Sequence, residues 1–292
     1  MKQWLVYGVL VLLAACARDD APRGESEPVG RIITLTPSAT ELVYAAGGAE
    51  RLVGVDRYST FPRSVVDLPK VGDFLNPSLE AIMRLRPDLV VLDPVQGNAE
   101  AGLRAAGIET LSLPMHTLDD VREGLRRLGA RLETADRAAT AIARIDEAVA
   151  EVEARVAARQ ADLSVLLVVD RQLGGLGDLV AASSGSFLDE LLAIAGGRNA
   201  LPAAGSRYAK ISPEAVVRAA PDVIVETTHA RDLERAREHW SELSEVPAVA
   251  TGRVYLVRES YYTAPGPRAD RALRGLATLV FGDADDSQDT SE

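Results

Sequence analysis

Two glutamates, Glu80 and Glu214, occupy the same position in a segment that the chain contains twice. The first copy begins at Leu79 and reads LEAIMRLRPDLVV, and the second begins at Pro213 and reads PEAVVRAAPDVIV. Each copy predicts a short helix, a break marked by proline and a buried strand. Two carboxylates on equivalent helices can bind two equivalent basic sites on a partner, where charge pairs mainly supply orientation and encounter rate. The alternative is that each carboxylate only stabilises the first turn of its own helix.

A second group of candidate residues lies in loops that follow predicted strands. Ligands of open α/β sheets bind beyond the carboxyl ends of the strands, so these loops are where a binding site is expected. Aromatic residues make up only 4% of the chain, and their concentration in these loops favours a flat, partly apolar ligand. Taken singly, each is as well explained as a packing residue. The candidates are Tyr58, Ser59, Phe74, Arg171, Tyr208, Tyr261 and Tyr262.

The sequence gives little support for a catalytic or a metal-binding site. Of the three histidines, His116 and His229 follow predicted strands and His239 lies in a charged helix, and no two form a close-spaced ligand pair. The sequence contains no G-x-G-x-x-G or P-loop lysine pattern, and it contains no recognisable catalytic triad. We therefore predict no catalytic residue, no metal site and no resident cofactor. An exported enzyme that acts in a cleft is the alternative from a different functional class.

The amino-acid composition limits the remaining functional classes. A chain of 292 residues with 47% apolar content can bury a sizeable core. Its formal net charge of -11 disfavours bulk binding to nucleic acid, since a phosphate-binding surface needs a basic excess.

The chain ends have the composition of targeting and tether segments. The opening MKQWLVYGVLVLLAAC has a basic start and an apolar stretch too short to span a bilayer, which predicts an export signal over residues 1–15. LAAC resembles the bacterial lipobox, which implies that Cys16 becomes the lipidated N-terminus; an ordinary secretory signal is the alternative. Cys16 is the only cysteine, so no intramolecular disulfide is expected. Residues 16–30 are interpreted as a flexible tether and residues 283–292 as an acidic, disordered tail.

Strand and helix signals alternate along the rest of the chain. This order predicts an α/β fold in which mostly parallel sheets are covered on both faces. The first helix, SATELVYAAGG, is expected to have its cap near Ser38 or Thr40. Residues 134–161 contain neither Gly nor Pro and predict one long helix of about 40 Å. We predict an N-terminal lobe over 31–133, this linking helix, and a C-terminal lobe over 162–282.

The apolar positions of the long helix also fit the seam of a coiled-coil dimer. They persist for only about two heptads and lie between two α/β lobes, so an intramolecular backbone and a monomer are expected.

Several motifs, in the same order, resemble the vitamin B12 and iron-chelate periplasmic binding proteins, the helical-backbone receptors of ABC importers. The resemblance covers most of residues 31–282. It implies two α/β lobes joined by one helix and a small-molecule metal chelate held between them. It also implies a permease dimer as partner. The lipobox implies a lipid anchor in a bacterial membrane facing the periplasm or the cell exterior. The long helix should limit hinge motion, so a small closure on binding is predicted. The motifs are RIITLTPSATELVYAAGGAERLVGVDRYSTFP, LPKVGDFLNPSLEAIMRLRPDLVV, GSFLDELLAIAGGRNAL, KISPEAVVRAAPDVIVE and APGPR.

The resemblance also suggests roles for individual residues. In this family, a glutamate near the start of the matching helix in each lobe docks onto arginine pockets of the permease, which implies Glu80 and Glu214 here. Compared with the vitamin B12 receptors, Phe74, Tyr208 and Tyr261 correspond to positions where tryptophans flank the corrin. These correspondences favour a corrinoid ligand.

Two departures from the family pattern keep other ligands open. Asp93 and Pro94 stand where the vitamin B12 receptor carries another tryptophan. Haem receptors often use a tyrosine as iron ligand near the position of Phe74. Phenylalanine cannot coordinate iron, so haem would need Tyr58, Tyr208 or a histidine.

A ferric siderophore is the main alternative ligand. Such a ligand usually requires cationic residues around an anionic complex, and the chain can supply them. The cationic candidates are Arg57, Arg171, Arg207 and Lys210.

Overall fold

The computed structural model describes residues 28–157, 159, 162–172, 174–201, 205–228 and 233–281. The predicted export signal, Cys16, His229, the acidic tail and most of the tether lie outside the described residues.

The N-terminal lobe is a parallel sheet with helices between its strands. Its strand order is β2-β1-β3-β4. The aliphatic run of β3 is buried along its whole length, as expected for a strand covered on both faces. The elements are β1 (Ile32–Thr34), α1 (Pro37–Ala45), β2 (Leu52–Val55), α2 (Leu79–Arg84), β3 (Leu89–Leu92), α3 (Gly97–Ala105), β4 (Glu109–Ser112) and α4 (Leu118–Arg131).

A single helix, α5 (Ala135–Ala157), follows the N-terminal lobe. It has 23 residues and is therefore about 35 Å long. Its buried positions are mostly small, which lets α4 and α10, a helix of the C-terminal lobe, pack closely against it. The buried positions are Ala138, Ala141, Ile145, Ala148 and Val152.

The C-terminal lobe contains a mixed sheet in the order β10-β9-β5-β6-β8, with β7 paired to β5. Strands β5, β7, β9 and β10 pair in parallel, whereas β6 pairs antiparallel with β5 and with β8. The elements are β5 (Leu163–Asp170), β6 (Leu179–Ala182), α6 (Phe187–Ile194), β7 (Gly197–Asn199), β8 (Tyr208–Ile211), α7 (Pro213–Ala219), β9 (Val223–Thr227), α8 (Leu233–Ser241), α9 (Pro247–Ala250), β10 (Val254–Val257) and α10 (Ala269–Phe281).

The predicted α/β fold is confirmed, with one refinement in the C-terminal lobe. The antiparallel strands β6 and β8 and the short β7 were not predicted. Tyr208, assigned from the sequence to a loop, is the first residue of β8 at the edge of the sheet.

One hydrophobic core runs through both lobes. The same buried cluster contains Leu42 of α1, Ile145 of α5, Val165 of β5 and Leu273 of α10. Protein interiors are close-packed, so a large rotation of one lobe against the other would disrupt this core. The continuity supports the prediction of a small closure.

Candidate functional site

Loops at the carboxyl ends of the two sheets meet. Phe61, in the segment after β2, and Tyr261, which follows β10, both lie against the Arg268 guanidinium, with ring centroids 4.0 Å and 5.4 Å from its Cζ. A second contact joins the start of α4 to α6, where the backbone N–H of Leu118 donates to Oε2 of Glu190 at 3.0 Å. The strand ends where ligands of α/β proteins bind therefore face one another.

The segments that follow β2 and β3 of the N-terminal sheet carry exposed apolar side chains. Tyr58 is 62% exposed, Leu75 is 78% exposed and Val95 is 67% exposed, with the half-buried Phe74 beside Leu75 in sequence. Large exposed apolar groups that share a surface usually mark a binding site. We call Tyr58, Phe74, Leu75 and Val95 the apolar wall.

Hydrogen bonds fix the loops of the apolar wall to one another. The backbone N–H of Arg57 donates to the carbonyl oxygen of Gly72 at 2.7 Å. Nε2 of Gln96 donates to the carbonyl oxygen of Phe74 at 2.9 Å and to that of Leu35 at 3.3 Å. The wall is therefore held by hydrogen bonds within the N-terminal lobe. Leu75 and Val95 were not among the sequence candidates, since an isolated aliphatic residue in a loop has no distinctive sequence signal.

Ser59 has a different environment from its neighbour Tyr58. It is buried, and its hydroxyl donates to Oδ1 of Asp56 and lies 2.7 Å from the hydroxyl of Thr40. Oδ2 of Asp56 accepts from the backbone N–H of Tyr58 at 2.8 Å. Burial raises the pKa of Asp56, partly offset by the hydrogen bond from Ser59. This network holds the loop that exposes Tyr58.

Arg171 lies inside the C-terminal lobe. Its Nε donates to Oε1 of the fully buried Glu226 at 2.7 Å, and its Nη2 donates to the carbonyl oxygen of Ala236 at 3.1 Å. Trp240 satisfies the other oxygen of Glu226 through Nε1 at 2.6 Å. Nη1 lies 3.3 Å from Nδ1 of His239. The structure thus explains the charge of Arg171 by a buried ion pair that joins the end of β5 to Glu226 of β9, and hydrogen bonds connect this pair to α8.

The two adjacent tyrosines after β10 differ in exposure. Tyr262 is buried and Tyr261 is half-buried, and their ring centroids are 4.8 Å apart. A Cβ atom added at Gly275 would lie 2.0 Å from Oη of Tyr262, so α10 has room for this ring only because position 275 is glycine. Burial raises the pKa of Tyr262 strongly. Tyr262 is therefore fixed against α10 and packs against the ring of Tyr261.

The repeated glutamates lie on equivalent, exposed helix starts. Ser78 caps α2 and Ser212 caps α7, each accepting a hydrogen bond from the backbone three residues on. The Glu80 side chain is 81% exposed and pairs with Arg84 at 2.6 Å. Glu214 is also exposed, and a hydrogen bond with the Ser212 side chain lowers its pKa. Both carboxylates are exposed and therefore accessible to a partner.

Metal-ligating residues do not converge in the part of the chain that the structure describes. No group of three or more His, Cys, Asp or Glu side chains there is placed to hold a metal ion. Among the same residues, no helix has both the length and the apolar content needed to cross a membrane.

A profile of the family described as periplasmic binding protein matches residues 32–261. The chain belongs to the periplasmic binding protein family. It is 28% identical over 262 residues to the uncharacterized ABC transporter substrate-binding lipoprotein YvrC of Bacillus subtilis, covering 87% of this chain and 80% of that protein. It is 29% identical over 257 residues to the vitamin B12-binding protein of Pectobacterium atrosepticum, covering 86% and 88% respectively.

Solved structures show the same two-lobed architecture. The vitamin B12 binding protein BtuF of Vibrio cholerae aligns with a TM-score of 0.76 at 25% identity, covering 87% of this chain and 97% of that one. The haem-binding protein RhuT from Roseiflexus sp. RS-1 aligns with a TM-score of 0.76 at 27% identity, covering 87% and 98%. The chain is accordingly a substrate-binding protein of an ABC transporter, and its family consists of transport receptors rather than enzymes.

Proposed function

We propose that this receptor captures a corrinoid between its lobes and delivers it to the permease of an ABC importer. The apolar wall carries the proposal, because Tyr58, Leu75 and Val95 expose apolar surface at the carboxyl edge of the N-terminal sheet. Such a surface suits a broad, partly apolar ligand face. Phe74 on the N-terminal side and Tyr208 and Tyr261 on the C-terminal side are the proposed ring contacts.

The apolar wall favours a chelate whose metal is already fully coordinated. Phe74, Leu75 and Val95 have no atom that coordinates iron, and Tyr58 alone in the wall has an oxygen ligand. A corrinoid supplies its own metal ligands and needs from the protein only shape and contact. Haem would need a ligand from Tyr58 or from the C-terminal side, so it ranks below the corrinoid.

A ferric siderophore is the second candidate. Arg57, Arg207 and Lys210 are exposed and can approach an anionic complex. The guanidinium of Arg171 is bound to Glu226, so it contributes least to this alternative.

Delivery is proposed to use Glu80 and Glu214 as docking points on the two permease subunits. Their matching helix positions and exposure suit a partner with two-fold symmetry and basic pockets. The permease would then separate the lobes and release the ligand. Cys16 is proposed to carry the lipid anchor, in accordance with LAAC, and incorporation of labelled fatty acid that is lost in Cys16→Ser would test this.

Calorimetric titration tests the ligand. The chain from Ala17 onward retains every described residue and would be titrated with cyanocobalamin, then with ferric siderophores and haemin in the same buffer. Saturable binding of one cyanocobalamin per chain supports the corrinoid proposal. No heat with cyanocobalamin but binding of a ferric chelate would replace the corrinoid by that chelate and shift attention from the apolar wall to the arginines.

A further inference from the structure

A buried ion pair joins the two lobes beside the cleft. Nε of Arg268 donates to Oε2 of Glu41 at 2.8 Å, and Nη2 donates to Oε1 of the same carboxylate. Glu41 belongs to α1 of the N-terminal lobe, and Arg268 immediately precedes α10 of the C-terminal lobe. The carboxylate side chain is 3% exposed and the guanidinium side chain 11% exposed.

Because the pair is buried, each of its two charges depends on the other for stabilisation. A charge removed from water costs several kcal/mol unless good geometry and further hydrogen bonds compensate. Here the fork of Arg268 fits the carboxylate, and Nη2 also donates to Oγ of Ser260 at 2.8 Å. Burial raises the pKa of Glu41, opposed by the hydrogen bond and charge of Arg268. Separation of the lobes would leave both charges without their partner.

The same guanidinium holds two aromatic rings from opposite lobes. Cζ of Arg268 lies 4.0 Å from the ring centroid of Phe61 and 5.4 Å from that of Tyr261. Phe61 in turn contacts Tyr44 of α1 edge to face, with centroids 5.9 Å apart. Arg268 therefore fixes the loop that follows β2 relative to the loop that follows β10, and it does so by both charge and stacking.

Glycine allows this close approach on the C-terminal side. A Cβ atom added at Gly266 would lie 3.3 Å from Oε2 of Glu41, so the segment before Arg268 passes directly over the carboxylate. The sequence PGPR at positions 265–268 combines this small residue with two prolines that restrict the backbone.

We propose that Arg268 is a positioning residue that latches the lobes through Glu41, presets the width of the cleft, and must release when ligand is discharged. The part of this inference that concerns ligand rests on the proposed function. The part that concerns lobe separation does not.

The width of the cleft can be measured without any ligand. The chain from Ala17 lacks Cys16, the only cysteine, so spin labels at Asp67→Cys and Glu234→Cys would report one distance between the lobes. Both positions are exposed and lie in different lobes. Pulsed electron spin resonance is expected to give one narrow distribution for this chain and a broader distribution, extended to longer distances, for Arg268→Gln.

A matched control distinguishes loss of the latch between the lobes from loss of an ion pair within one lobe. Arg131 also makes a two-pronged bond to a carboxylate, Glu109, with both N···O distances at 2.7 Å, but the pair lies within the N-terminal lobe. Arg131→Gln should keep the narrow distribution. Arg268→Lys, which keeps the charge but not the fork, should lie between the parent chain and Arg268→Gln. If Arg268→Gln fails to fold, the distance distributions of Glu41→Gln and Arg268→Lys are compared with that of the parent chain instead.

Ligand release supplies the second measurement. For whichever chelate the parent chain binds, Arg268→Gln is expected to dissociate at least tenfold faster in a chase experiment, and Arg131→Gln at the parent rate. An unchanged distance distribution in Arg268→Gln and Glu41→Gln would overturn the latch. A broadened distribution in a chain that binds none of the chelates would uphold the latch and reject the proposed ligand. Broadening with an unchanged dissociation rate would overturn its role in release.

Discussion

Asp88 and Asp222 make the same bond in the two lobes. Each follows the proline of its copy of the repeat, and each accepts a backbone hydrogen bond at the beginning of an inner strand of its own sheet. Oδ2 of Asp88 accepts from the N–H of Arg31 at 2.8 Å, and Oδ2 of Asp222 accepts from the N–H of Ser164 at 2.9 Å. The repeated Pro-Asp is therefore a structural part of the repeat, whereas the glutamates point to solvent.

Removal of either aspartate should destabilise its lobe. Asp222→Ala and Asp88→Ala each delete a charge-assisted hydrogen bond at a strand start, and we expect each to lower the free energy of unfolding by about 1–2 kcal/mol. Urea titration would measure the loss, with the exposed Asp67→Ala as the control. A loss no greater than that of Asp67→Ala would show that these bonds contribute little.

The proposed docking glutamates, Glu80 and Glu214, should affect transport without affecting ligand binding. The double variant Glu80→Ala, Glu214→Ala removes two exposed carboxylates whose loss exposes no buried group, so ligand affinity and thermal stability should stay at the parent values. Uptake of labelled ligand by cells or proteoliposomes should fall at least tenfold. Glu123→Ala, Glu153→Ala removes the same charge from α4 and α5 and should leave uptake unchanged. Uptake at the parent rate in the first variant would refute the docking assignment.

The repeat made the architecture predictable from the sequence, because similar segments in separate lobes must pack in similar ways. Alternation of helix and strand signals located β1 to β5, β9 and β10. The boundary of α1 was less predictable: Thr36, not Ser38 or Thr40, is its cap, because Pro37 occupies the first helical position. Strands β6 and β8 are short and lie in an antiparallel extension, where sequence periodicity is weak.

The candidate site was predictable in its loops but not in its side chains. Tyr58 and Phe74 lie in the apolar wall, while Ser59 is buried in a hydrogen-bonded network and Arg171 in an ion pair. Their partners, Asp56 and Glu226, are near in space only after folding. The Glu41–Arg268 pair was missed for the same reason, since 227 positions separate the two residues.

The apolar wall predicts how affinity depends on two aliphatic residues. Leu75→Ser and Val95→Ser should each weaken binding of cyanocobalamin about tenfold, or about 1.4 kcal/mol, because apolar contact area is lost while the loops keep their backbone hydrogen bonds. Met83→Ser, at an exposed apolar position on α2, is the control and should bind as the parent does. Calorimetry on the three variants measures the difference, and unchanged affinity in the first two would remove the wall from the binding site.

The packing of Tyr262 against α10 should connect stability with ligand binding. Alanine is favoured over glycine inside a helix by about 0.5–1 kcal/mol, so Gly275→Ala would stabilise α10 if nothing opposed it. The added Cβ would lie only 2.0 Å from Oη of Tyr262, and displacement of that ring should cost about 1–3 kcal/mol instead. Because Tyr261 contacts Tyr262, the proposed ring contact should also shift and ligand affinity should fall.

Gly97→Ala is the control. Its added Cβ would have no neighbour within 4 Å, so this variant should leave ligand affinity unchanged. Urea unfolding and calorimetry on both variants would test this coupling: a destabilised Gly275→Ala with parent affinity would mean that Tyr262 supports the fold but does not position Tyr261 for ligand.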